Sequence, residues 1–279
     1  MIDNSKFQTF FKLHSENVDN SNNQGFWKIT DEVTKTYILE NTPQKDNITL
    51  VDFGGGTGRW LAILDKYFTN SKFIIVDLSS DMLEKAQKKI DFGIFKNKVQ
   101  LVKSNIEDIP LLNDNSADII ISTYNPLSFT NDPQKVINEA YRILKPNGVA
   151  IITSQAYYNA LYSKINNYLA DTKELKYIKN ERKLKWNDFV PETWQLSKED
   201  MESMYQKSGF KNIFSRGIAT IIQPQSEDWD QTNNKLGSLS SKLNEDEEFY
   251  NFILELEINA GKDEFAVNRA MNLMVVGQK

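Results

Sequence analysis

The sequence predicts an α/β fold: a doubly wound, mostly parallel sheet with helices on both faces. Three observations predict it. Apolar runs at 48–53, 72–77, 99–103, 117–122 and 149–154 recur with helix-patterned segments between them. Each run is apolar almost throughout rather than alternating, as a strand covered on both faces must be. And Gly54, Gly55, Gly56 and Gly58 cluster where the first run turns into the first helical stretch. Glycine serves where the backbone takes positive φ or comes close to a ligand, and the helix start just beyond offers free N–H groups.

In chain order, residues 1–42 read as helical segments broken by a polar loop. Phe7, Phe10, Phe11 and His14 share one helical face, Asn17 to Gln24 are turn residues, and Thr30-Asp31 is expected to cap a helix reaching about Asn41. The first strand covers 48–53 and its crossover helix 59–68. The second strand, 72–77, ends in Asp77, and Ser79-Ser80-Asp81 caps a helix from Met82 to Ile90. Strands at 99–103 and 117–122 follow, then a helix from Pro133 to Leu144, stopped by Lys145-Pro146-Asn147-Gly148 before a fifth strand at 149–154. The rhythm breaks at 156–195, a long segment rich in Tyr and Trp. It resumes with a helix capped by Leu196 to Asp200 and ended by Gly209, then a strand from Phe210 to Ile222. Residues 223–244 read as polar loop, Glu245 to Ala260 as an amphipathic helix, and Ala270 to Gly277 as the last strand. The reading is one domain with insertions at 156–195 and 223–268, and 279 residues with 40% hydrophobic content suffice for its core.

Composition removes several function classes. There is no cysteine, so thiolate nucleophiles, disulfides and thiolate metal sites are out, and the single histidine, His14, cannot build a multi-His metal centre; no metal is expected. A net charge of −5 without a Lys/Arg block argues against nucleic acid as partner. No signal-like N-terminus and no bilayer-length apolar run are present, which predicts a cytoplasmic protein with no membrane partner.

The glycine spacing then narrows the ligand. The dinucleotide fingerprint needs a third glycine at position 59, which is Arg59, and no Gly-Lys-Ser/Thr follows to make a P-loop. Asp52, inside the strand two residues before the first glycine, would repel a pyrophosphate but suits a cationic, amine-bearing ligand. Asp77 closes the second strand, where a carboxylate can accept from ribose hydroxyls. An acid for an amino or sulfonium tail and another for a ribose describe S-adenosylmethionine (SAM). Plain structural alternatives stand beside these readings: a tight turn at Gly54–Gly58, a helix cap at Asp77, core at Met82 and Trp60, and a strand-ending turn at Asn125-Pro126.

The chain resembles the class I SAM-dependent methyltransferases. The resemblance rests on Val51 to Trp60, Ile75 to Ser79 with Asp81-Met82-Leu83, Ser104 to Asp108, Asp118 to Asn125, and Leu144 to Gly148. It covers roughly 48–155 closely and implies a seven-stranded sheet with the last strand antiparallel. It implies cofactor contacts from Asp52, Gly54, Gly56, Gly58, Asp77, Leu78, Met82, Asn105, Ile106 and Thr123. Asn105 departs from the Asp common at that place, and Asn147-Gly148 replaces the usual Gly-Gly and is expected to form the same turn. It also implies that residues 1–42 form an N-terminal helical lid on a domain spanning 43–279, whose two insertions form a substrate cap.

The acceptor is less defined. Asn125-Pro126-Leu127-Ser128 lacks the second proline and the aromatic of nucleic-acid amino-methyltransferases. His14, Trp27, Tyr124, Asn125, Tyr157 and Tyr158 are the candidate acceptor contacts, since aromatic walls suit an apolar, aromatic or cationic acceptor. No residue is singled out as catalytic. The expectation is direct in-line methyl transfer, without metal, to a small molecule or modified peptide. An RNA or protein methyltransferase and a non-catalytic SAM-binding regulator stay open as alternatives.

Overall fold

In the computed structural model, residues 9–12, 18–43, 46–225, 228 and 238–279 are described. Seven strands form one sheet: β1 (Thr49–Phe53), β2 (Lys72–Asp77), β3 (Lys98–Lys103), β4 (Ala117–Ser122), β5 (Leu144–Gln155), β8 (Lys211–Ile218) and β9 (Asn272–Gln278). Their order is β3-β2-β1-β4-β5-β9-β8. The first five are parallel, while β9 lies between β5 and β8 and runs antiparallel to both. The expected seven-stranded sheet with a reversed last strand is therefore present. The chain leaves β1 toward β2 on one side and returns through β4 on the other, so β1 and β4 flank the switch point where ligands of open α/β sheets bind.

Neighbouring residues of one strand face opposite cores. Leu50, Ile75, Ile119, Ile121, Ile151 and Met274 pack on one side, and Val51, Phe53, Ile74, Val76, Ile120, Ile152 and Val275 on the other. This two-sided burial is why the inner runs are continuously apolar; the edge strand β3 carries Lys98, Gln100 and Lys103 and is mostly exposed or half-exposed. On the first side lie α1 (Gly25–Asn41), α2 (Arg59–Leu64), α3 (Ser80–Asp91), α8 (Leu239–Glu245) and α9 (Glu247–Lys262). On the second lie α4 (Pro133–Ile143) and α7 (Lys198–Ser208), through Val136, Ile137, Ala140, Met201 and Tyr205. In α1, Phe26, Ile29, Val33 and Tyr37 are fully buried at helical spacing, so α1 is held by its apolar face, each such side chain contributing ~1.5–3 kcal/mol.

Several local expectations are corrected. Helix α1 starts at Gly25, so Thr30 and Asp31 are buried inside it rather than capping it; the apolar face of Phe26 and Ile29 extends the helix past them. Strand β5 begins at Leu144, and Lys145 to Gly148 is taken up as an irregularity in its pairing with β4, with Asn147 at φ 67°, in place of a separate turn. The edge strand β8 stops at Ile218, where the Glu257 carboxylate accepts from the N–H groups of Thr220, Ile221 and Ile222 at 2.8, 2.8 and 2.6 Å and replaces strand pairing. The segment read as loop to residue 244 contains α8. The caps at Ser79 and at Ser197, the latter a full capping box with Asp200, are as expected.

The first insertion folds as α5 (Tyr157–Asn166), α6 (Thr172–Glu181) and a two-strand hairpin of β6 (Lys183–Leu184) and β7 (Thr193–Trp194). The indole N–H of Trp194 donates to the Thr130 carbonyl at 2.8 Å and ties this hairpin to the turn after β4.

Candidate functional site

A cleft of about 440 Å³ opens at the carboxyl ends of β1, β2, β3 and β4. Its floor is the glycine loop. Gly54 has φ 70°, and a Cβ there would lie 2.4 Å from Cβ of Pro126, so the loop after β4 packs directly on it. Gly58, at φ 74°, is the residue from which α2 starts, and a Cβ on it would strike Ile75 at 2.7 Å. The loop is held by its own backbone, with Gly54 N–H donating to Val76 O at 2.7 Å and Gly58 N–H to Gly55 O at 2.9 Å.

Asp77 sits half-buried at the end of β2. Its Oδ2 accepts from Gly56 N–H at 2.9 Å and its Oδ1 from Ser79 N–H at 2.8 Å. Burial raises its pKa to about 6, against the opposing pull of those backbone donors. A carboxylate has about four lone-pair sites, so Asp77 keeps acceptor capacity toward the cleft. Leu78, Met82, Ser104, Asn105, Ile106 and Glu107 complete this half. Asn105 Oδ1 accepts from Glu107 N–H at 3.0 Å, and Glu107 Oε1 accepts from Asn131 N–H at 2.5 Å, which ties the β3 end to the turn after β4.

Asp52 lies beneath the loop instead of in the lining. It is 1% exposed, and neither carboxylate oxygen has a hydrogen-bond partner. A Cβ on Gly55 would touch it at 2.8 Å. Burial first, and the Asp77 charge second, push its pKa well above the usual carboxylate range. A buried carboxyl with no donor is costly, and a cation brought over Gly54–Gly56 would relieve it.

The other half of the cleft is walled by Phe11, Val18, Trp60, Tyr124, Phe129 and Thr130, with Arg59 and Thr123 beside them. Phe129 contacts Phe10 and Phe11 at centroid distances of 6.0 and 5.2 Å, and Tyr124 contacts Trp60 and Trp27 at 6.0 and 6.2 Å. Arg59 is 8% exposed and pairs with Asp31 of α1, which also receives the Tyr124 hydroxyl. Asp19 accepts from Thr57 Oγ1 at 2.8 Å and from Lys89 Nζ at 2.6 Å, pinning the N-terminal segment to the glycine loop and α3.

The structure thus brings Gly54, Gly56, Asp77, Leu78, Met82, Asn105, Ile106, Thr123 and Tyr124 to one cleft. It leaves others outside the lining. Gly58 faces the core. Trp27 is turned away by its indole N–H bond to the Asp228 carbonyl at 2.6 Å. Asn125 donates its amide to Asn272 Oδ1 at 2.7 Å. Tyr157 lies under the Arg182 guanidinium at 3.8 Å, and Tyr158 is half-exposed on α5. His14 lies outside the described residues. Among the described residues, neither insertion supplies a lining residue. The lining also holds residues that were not site candidates, among them Phe11, Val18, Arg59, Phe129, Thr130 and Asn131, and Trp60, for which the core was the reading. Only Phe11 carried a signal, its place on an aromatic helical face.

Residues 50–148 match the protein family described as "Methyltransferase domain". A 2-methyl-6-phytyl-1,4-hydroquinone methyltransferase 1, chloroplastic, from Oryza sativa subsp. japonica is 27% identical over 204 residues, 73% of this chain and 53% of that protein. A ubiquinone/menaquinone biosynthesis C-methyltransferase from Proteus mirabilis is 30% identical over 122 residues, 43% of this chain and 47% of that protein. The chain spans about half the length of these curated relatives. Among solved structures, a SAM-dependent methyltransferase from Thermotoga maritima superposes with a TM-score of 0.56 at 18% identity, covering 97% of this chain and 99% of that one, which shows a shared fold.

Proposed function

We propose that this chain, which carries a class I SAM-dependent methyltransferase domain, binds SAM in the cleft and passes its methyl group to a small aromatic acceptor. The observation that carries the reading is the pair of acids at the ends of β1 and β2. Asp52, with two buried and unpartnered oxygens under the glycine loop, is a counter-charge for an ammonium group seated on that loop. Asp77 holds the glycine loop with one set of lone pairs and offers the rest to ribose hydroxyls. Leu78, Met82 and Ile106 supply apolar surface for the adenine, and Asn105 a polar edge. SAM, when bound, supplies an electrophilic methyl group on sulfur. The work left to the residues is alignment and exclusion of water, and alignment can be worth up to ~7–11 kcal/mol.

The aromatic walls Phe11, Trp60, Tyr124 and Phe129 support a flat, aromatic acceptor. The relatives' names point the same way, toward hydroquinones and quinones. Residues 1–42 act as the lid in this reading, supported by Phe11 and Val18 in the lining and by the Asp19 contacts. The insertions cap the acceptor end from outside the described lining, and the Trp194–Thr130 bond links the first of them to it. A cytoplasmic setting belongs to the same proposal; none of the described helices is long and apolar enough to cross a membrane.

Titration calorimetry with SAM, followed by conversion of SAM to S-adenosylhomocysteine with a series of short-chain hydroquinones, tests it. Binding and turnover are expected. Binding with no turnover on any acceptor would leave a non-catalytic SAM-binding protein, and absent binding would overturn the whole reading.

A further inference from the structure

At the end of β4 two consecutive non-glycine residues take left-handed backbone, Tyr124 at φ 59° and Asn125 at φ 67°. Such a conformation costs an L-residue ~1–2 kcal/mol and persists where the surroundings over-determine it. Here they do. Asn125 N–H donates to Thr153 Oγ1 at 2.9 Å, its amide donates to Asn272, and Pro126 lies against Gly54. The strained pair sets Tyr124 into the cleft wall beside Arg59 and Trp60. Its hydroxyl donates to Oδ1 of Asp31. Asp31 itself is outside the lining and 7% exposed, and the Arg59 guanidinium holds both its oxygens, Oδ2 closely and Oδ1 at 3.3 Å. Tyr124 and Arg59 belong to the cleft lining, and Asp31 lies behind them, bonded to both.

We propose that Tyr124 is the catalytic proton acceptor for the hydroxyl of a phenolic acceptor, with Asp31 and Arg59 as the positioning residues behind it. The proposal rests on the SAM reading above. A phenol is a weak nucleophile until it ionises, near pH 10 in water. Among the described residues, the carboxylates of the lining are engaged elsewhere, Asp77 on the glycine loop and Glu107 on the Asn131 and Asp132 N–H groups, and the ionisable residues beside Trp60 are Tyr124 and Arg59. Burial, and then the Asp31 charge, push the Tyr124 phenol well above its usual range, so a standing phenolate is not the base. The transfer is coupled instead. The acceptor's hydroxyl proton passes to Tyr124 Oη while Tyr124's own proton passes to Asp31 Oδ1. The acceptor keeps the electron pair of its O–H bond and becomes the nucleophile. The negative charge moves from Asp31 to the acceptor oxygen, and Asp31 later gives its proton to solvent. Arg59 stays on Oδ2 throughout, while its longer bond to Oδ1 gives way as that oxygen takes the proton.

The test is spectroscopic first. Nitrohydroquinone, whose ionised form absorbs in the visible, is bound with S-adenosylhomocysteine, which has no methyl to give. In the wild type the ionised spectrum is expected about one pH unit or more below the probe's solution value. Tyr124→Phe removes one oxygen and keeps the ring; it should abolish that displacement while the melting temperature and SAM affinity hold. In turnover, Tyr124→Phe should lower kcat on a simple hydroquinone by ~10²–10⁴ with little change in KM. The loss should shrink on more acidic, nitro-substituted acceptors. Asp31→Glu should restore part of what Asp31→Asn loses. An identical probe spectrum in wild type and Tyr124→Phe, or one uniform loss across acceptors of every acidity, would overturn the proposal. If the wild type fails to bind SAM, the function reading falls instead; intact SAM binding with no Tyr124 effect defeats this inference alone.

Discussion

The two halves of the cleft are built in opposite ways. The half around Asp77 is made of short contiguous segments at strand ends, and backbone groups do much of the holding: Gly56 and Ser79 N–H on Asp77, Val76 O on the loop. The half around Tyr124 is assembled from single side chains far apart in sequence, at positions 11, 18, 60, 124 and 129. A backbone-built site depends on glycines and on one acid per strand end, so it tolerates little. A wall of side chains can be changed one residue at a time without disturbing the fold beneath it. If this contrast is right, substitutions on the two sides should separate cleanly into cofactor and acceptor effects.

The largest effect is expected at Asp77. Hydrogen bonds to a charged group contribute ~1.5–3 kcal/mol each, so Asp77→Ala, which also frees Gly56, should weaken SAM binding by about 10²-fold or more in calorimetry. Unchanged affinity would remove Asp77 from the site. Next, acid should act on the same half. Asp77 has a raised pKa of about 6, and protonation removes its charge and turns one of its acceptor oxygens into a donor. Asp52, also raised, must give up its proton to pair with a cation. Both signs agree: affinity for SAM should rise with pH, with Asp77 setting the loss below about 6, by up to tenfold per unit for each proton released. Titrations in buffers of different ionisation enthalpy should register that release, and a flat profile would show that neither acid meets the ligand.

On the other half, Phe129→Ala removes a ring that meets Phe10 and Phe11. It should raise the acceptor KM about tenfold, consistent with ~0.5–1.5 kcal/mol for an aromatic pair plus lost burial, and leave the SAM dissociation constant within a few fold. A larger effect on SAM than on acceptor would break the division. The smallest effect belongs to Asp19→Ala. Its bonds to Lys89 and Thr57 are partly exposed and worth at most ~1 kcal/mol, so SAM should dissociate only a few-fold faster by stopped flow, with less dependence on salt.

The same contrast explains what could be read before any coordinates. The strands follow from periodicity, and Gly54 to Gly58 and Asp77 stand out by spacing, because each depends on neighbours close in the chain; the reversed last strand and the expected cofactor contacts from Leu78 to Thr123 come with the family resemblance. Asp31 looked like a cap because it follows Thr30 in a polar stretch; its partner, Arg59, is 28 residues away. Arg59 itself registered only as the missing third glycine. Tyr157 and Tyr158 were favoured because they follow β5 at once, yet α5 turns them onto Arg182 and the surface. Phe129 and Thr130 gave no periodic signal, since they belong to an irregular turn. Contacts that span the chain leave no local pattern.

The Asp31–Arg59 pair also bears on how α1 finds its seat. Its apolar stripe of Phe26, Ile29, Val33 and Tyr37 would accept small rotations or slides along the sheet face, since oily surfaces discriminate weakly between neighbouring registers. A buried ion pair does discriminate: stripping one partner typically costs ~3–5 kcal/mol, while an apolar pair of equal volume can be tolerated. Replacing both residues together should therefore leave a folded protein whose α1 docks at more than one angle. In that sense the two charges act as an address, telling one helix where on a greasy face to stop.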